Sequence, residues 1–239
     1  MRDFLIALSF LTLIPITVNN YENIHRAFRY FPLVGAIIGV ITYLFYALFL
    51  YFLPEYLSGV LSIFIYHIIN GGLHIDGFAD LFDAFFGAKK NNERFKEILK
   101  DSRVGVMGVF GLIFYFSIIF AAILDVKLDL NFFIALGLFG RLVIVIVTYL
   151  SKPLFDEGLG KFFVESVSIY EFSIALICAF VVLLFLGKIY IAFLFVILFW
   201  GYLFRRFSNN FFGGVSGDIL GAGCIFTEML FVLLWRAFL

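Results

Sequence analysis

Apolar runs of helical length alternate with short polar breaks along the whole chain. Residues 31–53 form the first run long enough to cross a bilayer, closed by Pro54-Glu55; residues 57–72 form a shorter second. Residues 104–124, 130–150, 169–187, 189–204 and 219–239 follow, with residues 125–129 and Gly187-Lys188 as tight connectors. The pattern predicts about seven transmembrane helices. Residues 4–16 are apolar but too few to span, so they are expected to lie at the interface or to re-enter. Residues 89–103 are the most charged segment, with Phe95, Ile98 and Leu99 at helical spacing and Glu93–Lys96 and Glu97–Lys100 as i, i+3 pairs. That is the pattern of a cytoplasmic amphipathic surface helix. No repeat, low-complexity tract or linker divides residues 1–239, which read as one all-α polytopic membrane domain.

Composition agrees: 64% of residues are apolar and only 14% charged, against roughly 45–50% and 25% in soluble domains. Net charge is zero, which removes the electrostatic case for nucleic acid. The lone Arg2, the acidic Asp3 and the lack of a small-residue cleavage site argue against a cleaved leader. Cys178 and Cys224 both fall in apolar runs and read as packing residues. If residues 18–30 are cytoplasmic and the spans alternate, thirteen Lys and Arg gather on one side against three on the other, with Arg141 inside a span. The bias orients the protein in the cell membrane and puts Asp76, Asp80, Asp83, Asp101 and Asp218 on the cytoplasmic side.

Charge inside such a chain needs a reason. Asp76, Asp80 and Asp83 stand at i, i+4, i+7, within about 60° of one helix face, in a run of Phe, Ile, Leu and Ala. Carboxylates so placed repel one another, and a divalent cation relieves them. All-oxygen ligands favour Mg²⁺ or Mn²⁺ over zinc. The plainer alternative is an amphipathic helix with a solvated acidic edge. His67, Asn70 and His74 share a different face, so the two sets converge only if the helix unwinds at Gly71-Gly72 or turns at Gly77. His74 is then a general base, a ligand, or simply a helix-end histidine.

Further along, Asp101-Ser102-Arg103 opens a span. Asp101 or Ser102 suits a helix cap, and Arg103 offers a planar fork for phosphate. Gly213-Gly-Val-Ser-Gly-Asp218 repeats that construction before the last span, with Ser216 and Asp218 as candidate substrate contacts, and is not a Walker loop. Lys161 lies in a loop able to close over a ligand, or in a plain interhelical turn. Arg141 and Glu228 lie about 13–14 Å deep from the same face. They are expected to pair, the alternative being that each lines a wet substrate cavity. Carboxylates for metal with Arg and amide donors for phosphate oxygens point to an intramembrane phosphoryl transferase.

These blocks resemble the cobalamin-5′-phosphate synthase family, the adenosylcobinamide-GDP ribazoletransferases. The resemblance runs from Leu8-Ser-Phe-Leu-Thr-Leu-Ile-Pro15 and Phe31-Pro-Leu-Val-Gly35 through Gly71-Gly-Leu-His-Ile-Asp-Gly-Phe-Ala-Asp80 with Asp83. It continues in Lys100-Asp-Ser-Arg-Val-Gly105 with Gly108, Glu157-Gly-Leu-Gly160, and Gly213-Gly-Val-Ser-Gly-Asp-Ile-Leu-Gly-Ala222 with Glu228. Ala84 and Ser216 depart mildly from the usual Gly and Thr.

The resemblance implies a Mg²⁺-dependent membrane enzyme that joins α-ribazole or its 5′-phosphate to adenosylcobinamide-GDP and releases GMP. Asp76, Asp80 and Asp83 would hold the metal and His74 would act as base. Arg103 would clamp phosphate, and Asn70, Asp101, Lys161, Ser216, Asp218 and Glu228 would complete the substrate contacts. A CDP-alcohol phosphotransferase is the nearest alternative, but its motif needs an Ala-Arg pair after the first Asp-Gly, which Asp76-Gly-Phe-Ala-Asp80 lacks. A cation transporter would spread its polar residues through midplane depth.

Overall fold

The helix with the longest unbroken buried stretch lies at the centre, and its sequence explains why. A computed structural model of the chain describes residues 1–16, 24–89, 91–124 and 126–238, with only the backbone of Leu159. Part of the polar stretch 19–29 and Asp125 of the connector therefore fall outside the described residues. In helix α7 (Leu130–Thr148) every residue from Ala135 to Thr148 is buried. Helix α2 (Phe31–Phe49) crosses it backbone to backbone, because the contact positions carry no side chain. A Cβ on Gly35 would lie 2.1 Å from the Gly137 carbonyl oxygen, and one on Gly39 would lie 2.1 Å from that of Phe133. Where lipid supplies no hydrophobic drive between helices, such close approach maximises dispersion contact.

Around this pair stand α3 (Glu55–Ile69), α4 (Leu73–Gly87), α6 (Val106–Ile123), α9 (Ile169–Leu186), α10 (Lys188–Phe207) and α11 (Gly217–Phe238). Among the described residues three shorter helices, α1 (Arg2–Leu11), α5 (Asn92–Leu99) and α8 (Leu159–Ser166), a 3-10 segment at Ile24–Tyr30 and a π-helical turn at Ser208–Phe212 complete the set. The all-α expectation holds among the described residues, with one isolated bridge, Pro153 to Val215. Among the described residues six helices are long and apolar enough to cross a membrane, and a seventh span results if α3 and α4 count as one, bent by 90°. The expected span at 57–72 is thus the first limb of a broken helix. Helix α5 buries Phe95 and Leu99 as its pattern predicts. Neither expected i, i+3 ion pair closes there among the described residues. Lys100 instead sets its ammonium 4.7 Å from the centre of the Phe155 ring.

Four helices meet on one buried charge pair. Arg141 of α7 donates through Nη1 to Glu228 Oε1 of α11 at 2.9 Å, and both side chains are 0% exposed. Tyr66 of α3 accepts from the same Arg nitrogen and donates to Glu228 Oε1 at 2.6 Å. Tyr115 of α6 donates to Glu228 Oε2 at 3.1 Å. With the Tyr115 proton spent there, His67 Nε2 is the donor in its 2.9 Å bond to the Tyr115 oxygen. The expected pairing of Arg141 with Glu228 is made, and the tyrosines that complete it were not singled out in the sequence.

Breaking a desolvated pair from one side costs about 3–5 kcal/mol, because the other charge is stranded. Arg141→Ala and Glu228→Ala should each lower the melting temperature in detergent. The double mutant should lose less than the sum of the singles, and additive losses in that cycle would contradict a coupled pair.

Candidate active site

The site begins where α3 stops. Asn70, Gly71 and Gly72 interrupt the helix, with Gly71 at φ +65° and Gly72 at φ +71°, left-handed values that glycine adopts without strain. The unwinding expected at Gly71-Gly72 is therefore present. Helix ends leave carbonyls without partners. Here the Leu13 N–H, just past α1, satisfies Ile69 O at 2.8 Å, and the Gly72 N–H satisfies His67 O at 2.9 Å. The chain then restarts at right angles as α4, with Asp76 in its first turn.

The N-terminus of α11 packs against that of α4. A Cβ on Gly77 would lie 2.7 Å from Asp218 Cα, and one on Gly221 would lie 3.3 Å from His74 Cα. Two motifs far apart in sequence thereby meet. Asp76, Asp218 and Asp83 all lie within electrostatic reach of Asp80. Carboxylates in first turns are favoured by the helix dipole, which offsets part of their mutual repulsion.

Asp76, Asp218 and His74 share a cavity of about 220 Å³. His74 is 3% exposed, and its Nε2 is buried with no partner. Phe10 of α1, Phe28 of the 3-10 segment and Phe163 of α8 line the same cavity. Phe28 is held by its neighbour Arg29, which bridges to Glu171 of α9 at 2.7 Å. Helix α8 reaches the cavity because Val215 donates to Lys152 O at 2.8 Å and Leu154 donates to Val215 O at 3.0 Å. These bonds tie the segment before α8 to the glycine turn before α11. The three rings carried no signal in the sequence, since the chain has 36 phenylalanines.

The acidic stripe does not act as one set. Asp83 accepts the Gly105 N–H on Oδ2 at 2.7 Å and the Gly108 N–H on Oδ1 at 2.8 Å, so it caps α6 from a neighbouring helix. A Cβ on Gly105 or Gly108 would stand 2.4 Å from the Asp83 carboxylate, which explains both glycines. Among the described residues no three His, Cys, Asp or Glu side chains are grouped to hold one metal ion. The three-aspartate metal site expected from the spacing is therefore not assembled. Asp76 and Asp80 are left as a pair one helical turn apart, Asp76 exposed and Asp80 partly so. One or two carboxylates are what Mg²⁺ commonly takes from protein, its other positions going to water and substrate phosphate. Asp76 and Asp80 fit that mode, and among the described residues no closed protein cage is formed.

The remaining candidates are dispersed. Arg103 is 87% exposed and grips Asp101 in a fork, Nη2 to Oδ2 at 2.7 Å and Nε to Oδ1 at 2.9 Å. Those bonds hold the Asp101 carboxyl down to about 2. Ser216 caps α11, accepting the Ile219 N–H at 3.4 Å, and donates to Asp218 Oδ2 at 3.3 Å. Lys161 donates to Asp156 O at 2.9 Å, beside the cavity-lining Gly160. Asn70 donates to Tyr66 O at 3.0 Å, and its buried Oδ1 has no partner. Glu228 is sealed in the Arg141 pair, and its oxygens are taken by protein donors, not by an open substrate site.

Fold and site together define a multi-pass helical membrane protein with one acidic, histidine-bearing cavity where two helix N-termini meet. The model of the family described as cobalamin-5-phosphate synthase matches residues 3–236, and the chain belongs to that family. Curated relatives include the adenosylcobinamide-GDP ribazoletransferase of Clostridioides difficile, 30% identical over 98% of this chain and 96% of its own. Those of Clostridium tetani (32%, covering 99% and 97%) and Caldanaerobacter subterraneus (34%, covering 96% of each) are similar. No solved structure matches.

The division of the stripe is testable by stability alone. Asp83→Ala strands two amides and should cost about 1–3 kcal/mol. Gly108→Ala should act in the same direction by displacing that carboxylate. Exposed Asp76→Ala should stay within about 0.5 kcal/mol of the parent. Thermal melts in detergent read all three, and equal losses for Asp76→Ala and Asp83→Ala would contradict the assignment.

Proposed function

We propose that the protein transfers the adenosylcobinamide-phosphate group of adenosylcobinamide-GDP to a ribose hydroxyl of α-ribazole or α-ribazole 5′-phosphate, releasing GMP. The observation that carries this reading is the convergence of His74 and Asp76 with Gly217 and Asp218 on one cavity in a chain matched by its family over almost its entire length. The names of its relatives supply the substrates. The bond formed joins the ribose oxygen to the cobinamide-bound phosphorus, and the bond broken frees guanylate. The hydroxyl proton passes to a base of the protein.

His74 is that base in our reading. Its Nε2 is buried and unpartnered, so no other protein contact competes for the proton. Asp218 orients the hydroxyl from the opposing helix. Asp76 and Asp80 would hold Mg²⁺, which neutralises charge on the pyrophosphate when bound. Arg103 stands two residues before Gly105, whose amide lies on Asp83 of α4. It supplies a planar cation for the departing phosphate by exchanging Asp101 for it, and Lys161 supplies a second charge. The side of the membrane follows from the thirteen-to-three distribution of basic residues, which favours a cytoplasmic site in the cell membrane.

Purified protein should release GMP from adenosylcobinamide-GDP only when α-ribazole or its 5′-phosphate is present. EDTA should stop the release and Mg²⁺ should restore it. Asp76→Ala and Asp80→Asn should each lower kcat by about a hundredfold or more while the protein remains folded. Turnover within a few fold of the parent in either variant would remove the metal assignment. Arg103→Lys should remain impaired, because a point charge does not reproduce a bidentate fork. Full activity there would reduce Arg103 to a topological anchor.

A further inference from the structure

The cavity has a second character that phosphoryl transfer does not require. Phe163 stands with its ring centre 5.6 Å from that of Phe10 and 4.8 Å from that of Phe28, so three rings from three separate segments border one space. The rings pack on one another, with Phe28 1% and Phe163 4% exposed, and together form an apolar wall that a flat aromatic guest can lie against. The space is about 220 Å³, below the roughly 300–1,000 Å³ of pockets that enclose drug-sized ligands. A corrinoid carrying guanosine diphosphate cannot enter it, whereas one bicyclic ring system can. Among the described lining residues there is no Lys or Arg, and Asp76 and Asp218 disfavour an anionic group inside. His74 lines this space, and its Nε2 is buried without a partner, which costs about 1–3 kcal/mol.

We propose that this cavity is the nucleoside subsite: the uncharged bicyclic aromatic base of the acceptor lies against the wall formed by Phe10, Phe28 and Phe163. The attached ribose reaches His74 and the carboxylates at its edge. This deepens the transfer reading and rests on it, adding which substrate goes inside and which stays outside. Any 5′-phosphate on the acceptor points away from the rings, and the corrinoid pyrophosphate approaches over Asp76 and Asp80.

Gly217 allows a clean test, because a Cβ built on it meets no atom within 4 Å while its residue lines the cavity. Gly217→Leu should fold and occupy the space; Phe163→Ala removes a ring from the short peripheral helix α8. GMP release by the detergent-purified full chain is measured with each substrate varied in turn, and melting temperature checks folding. Equilibrium dialysis measures binding of α-ribazole alone. Both variants should raise KM for α-ribazole by about tenfold or more and weaken its binding to match, with KM for adenosylcobinamide-GDP changed less than about twofold. An unmoved KM for α-ribazole in both variants, or a rise confined to the corrinoid, overturns the subsite and leaves the transfer reading standing. Absence of GMP release by the unmodified protein overturns the transfer reading itself, and the subsite with it.

Discussion

The rest of the structure depends on a single desolvated charge pair. Arg141 and Glu228 sit where water does not reach, so each is tolerable only in the presence of the other. Satisfying both also requires Tyr66 and Tyr115, which fixes the register of α3, α6, α7 and α11 against one another. That register is what brings the end of α3, and hence the restart as α4, opposite the start of α11. A few ångströms of sliding along either helix would separate His74 from Asp218. The charge pair is fully buried, yet the geometry of the site rests on it.

The cavity also shows how a membrane protein gathers polar groups without leaving backbone unsatisfied. The break in α3 exposes carbonyls that α1 and the glycines reclaim, and α6 begins on a carboxylate lent by α4. Each interruption of regular helix is thus answered by a donor or acceptor from elsewhere. Irregular backbone in such a setting is tolerated where it borders a polar cavity, and it does so here.

Much of this could be read from the chain. The spans follow from hydropathy, the break from Gly71-Gly72, and the Arg141–Glu228 pair from matching depth. What periodicity could not reveal was the partner of each acid. Asp76, Asp80 and Asp83 are equivalent on a helical wheel, but only Asp83 faces a helix start with two glycines, and that neighbour comes from a distant segment. Arg103 likewise looked like a free fork, whereas Asp101, two residues before it, occupies it. The aromatic border was illegible for a simpler reason. In a membrane chain phenylalanine is the common filler, and nothing local separates a ring facing lipid from one facing a cavity.

The capping of α6 by Asp83 bears on how the site can open. Swinging α4 outward would strip both amides from α6, and the α4–α11 contact at Gly77 leaves little slack on the other side. The acidic wall is therefore firmly braced. The facing border is built from α1, the 3-10 segment and α8, none of which belongs to the four-helix charge network, and α8 follows Gly158 at φ +93°. The cavity thus has one wall braced by capping and close backbone contact and another built mainly of phenylalanine rings.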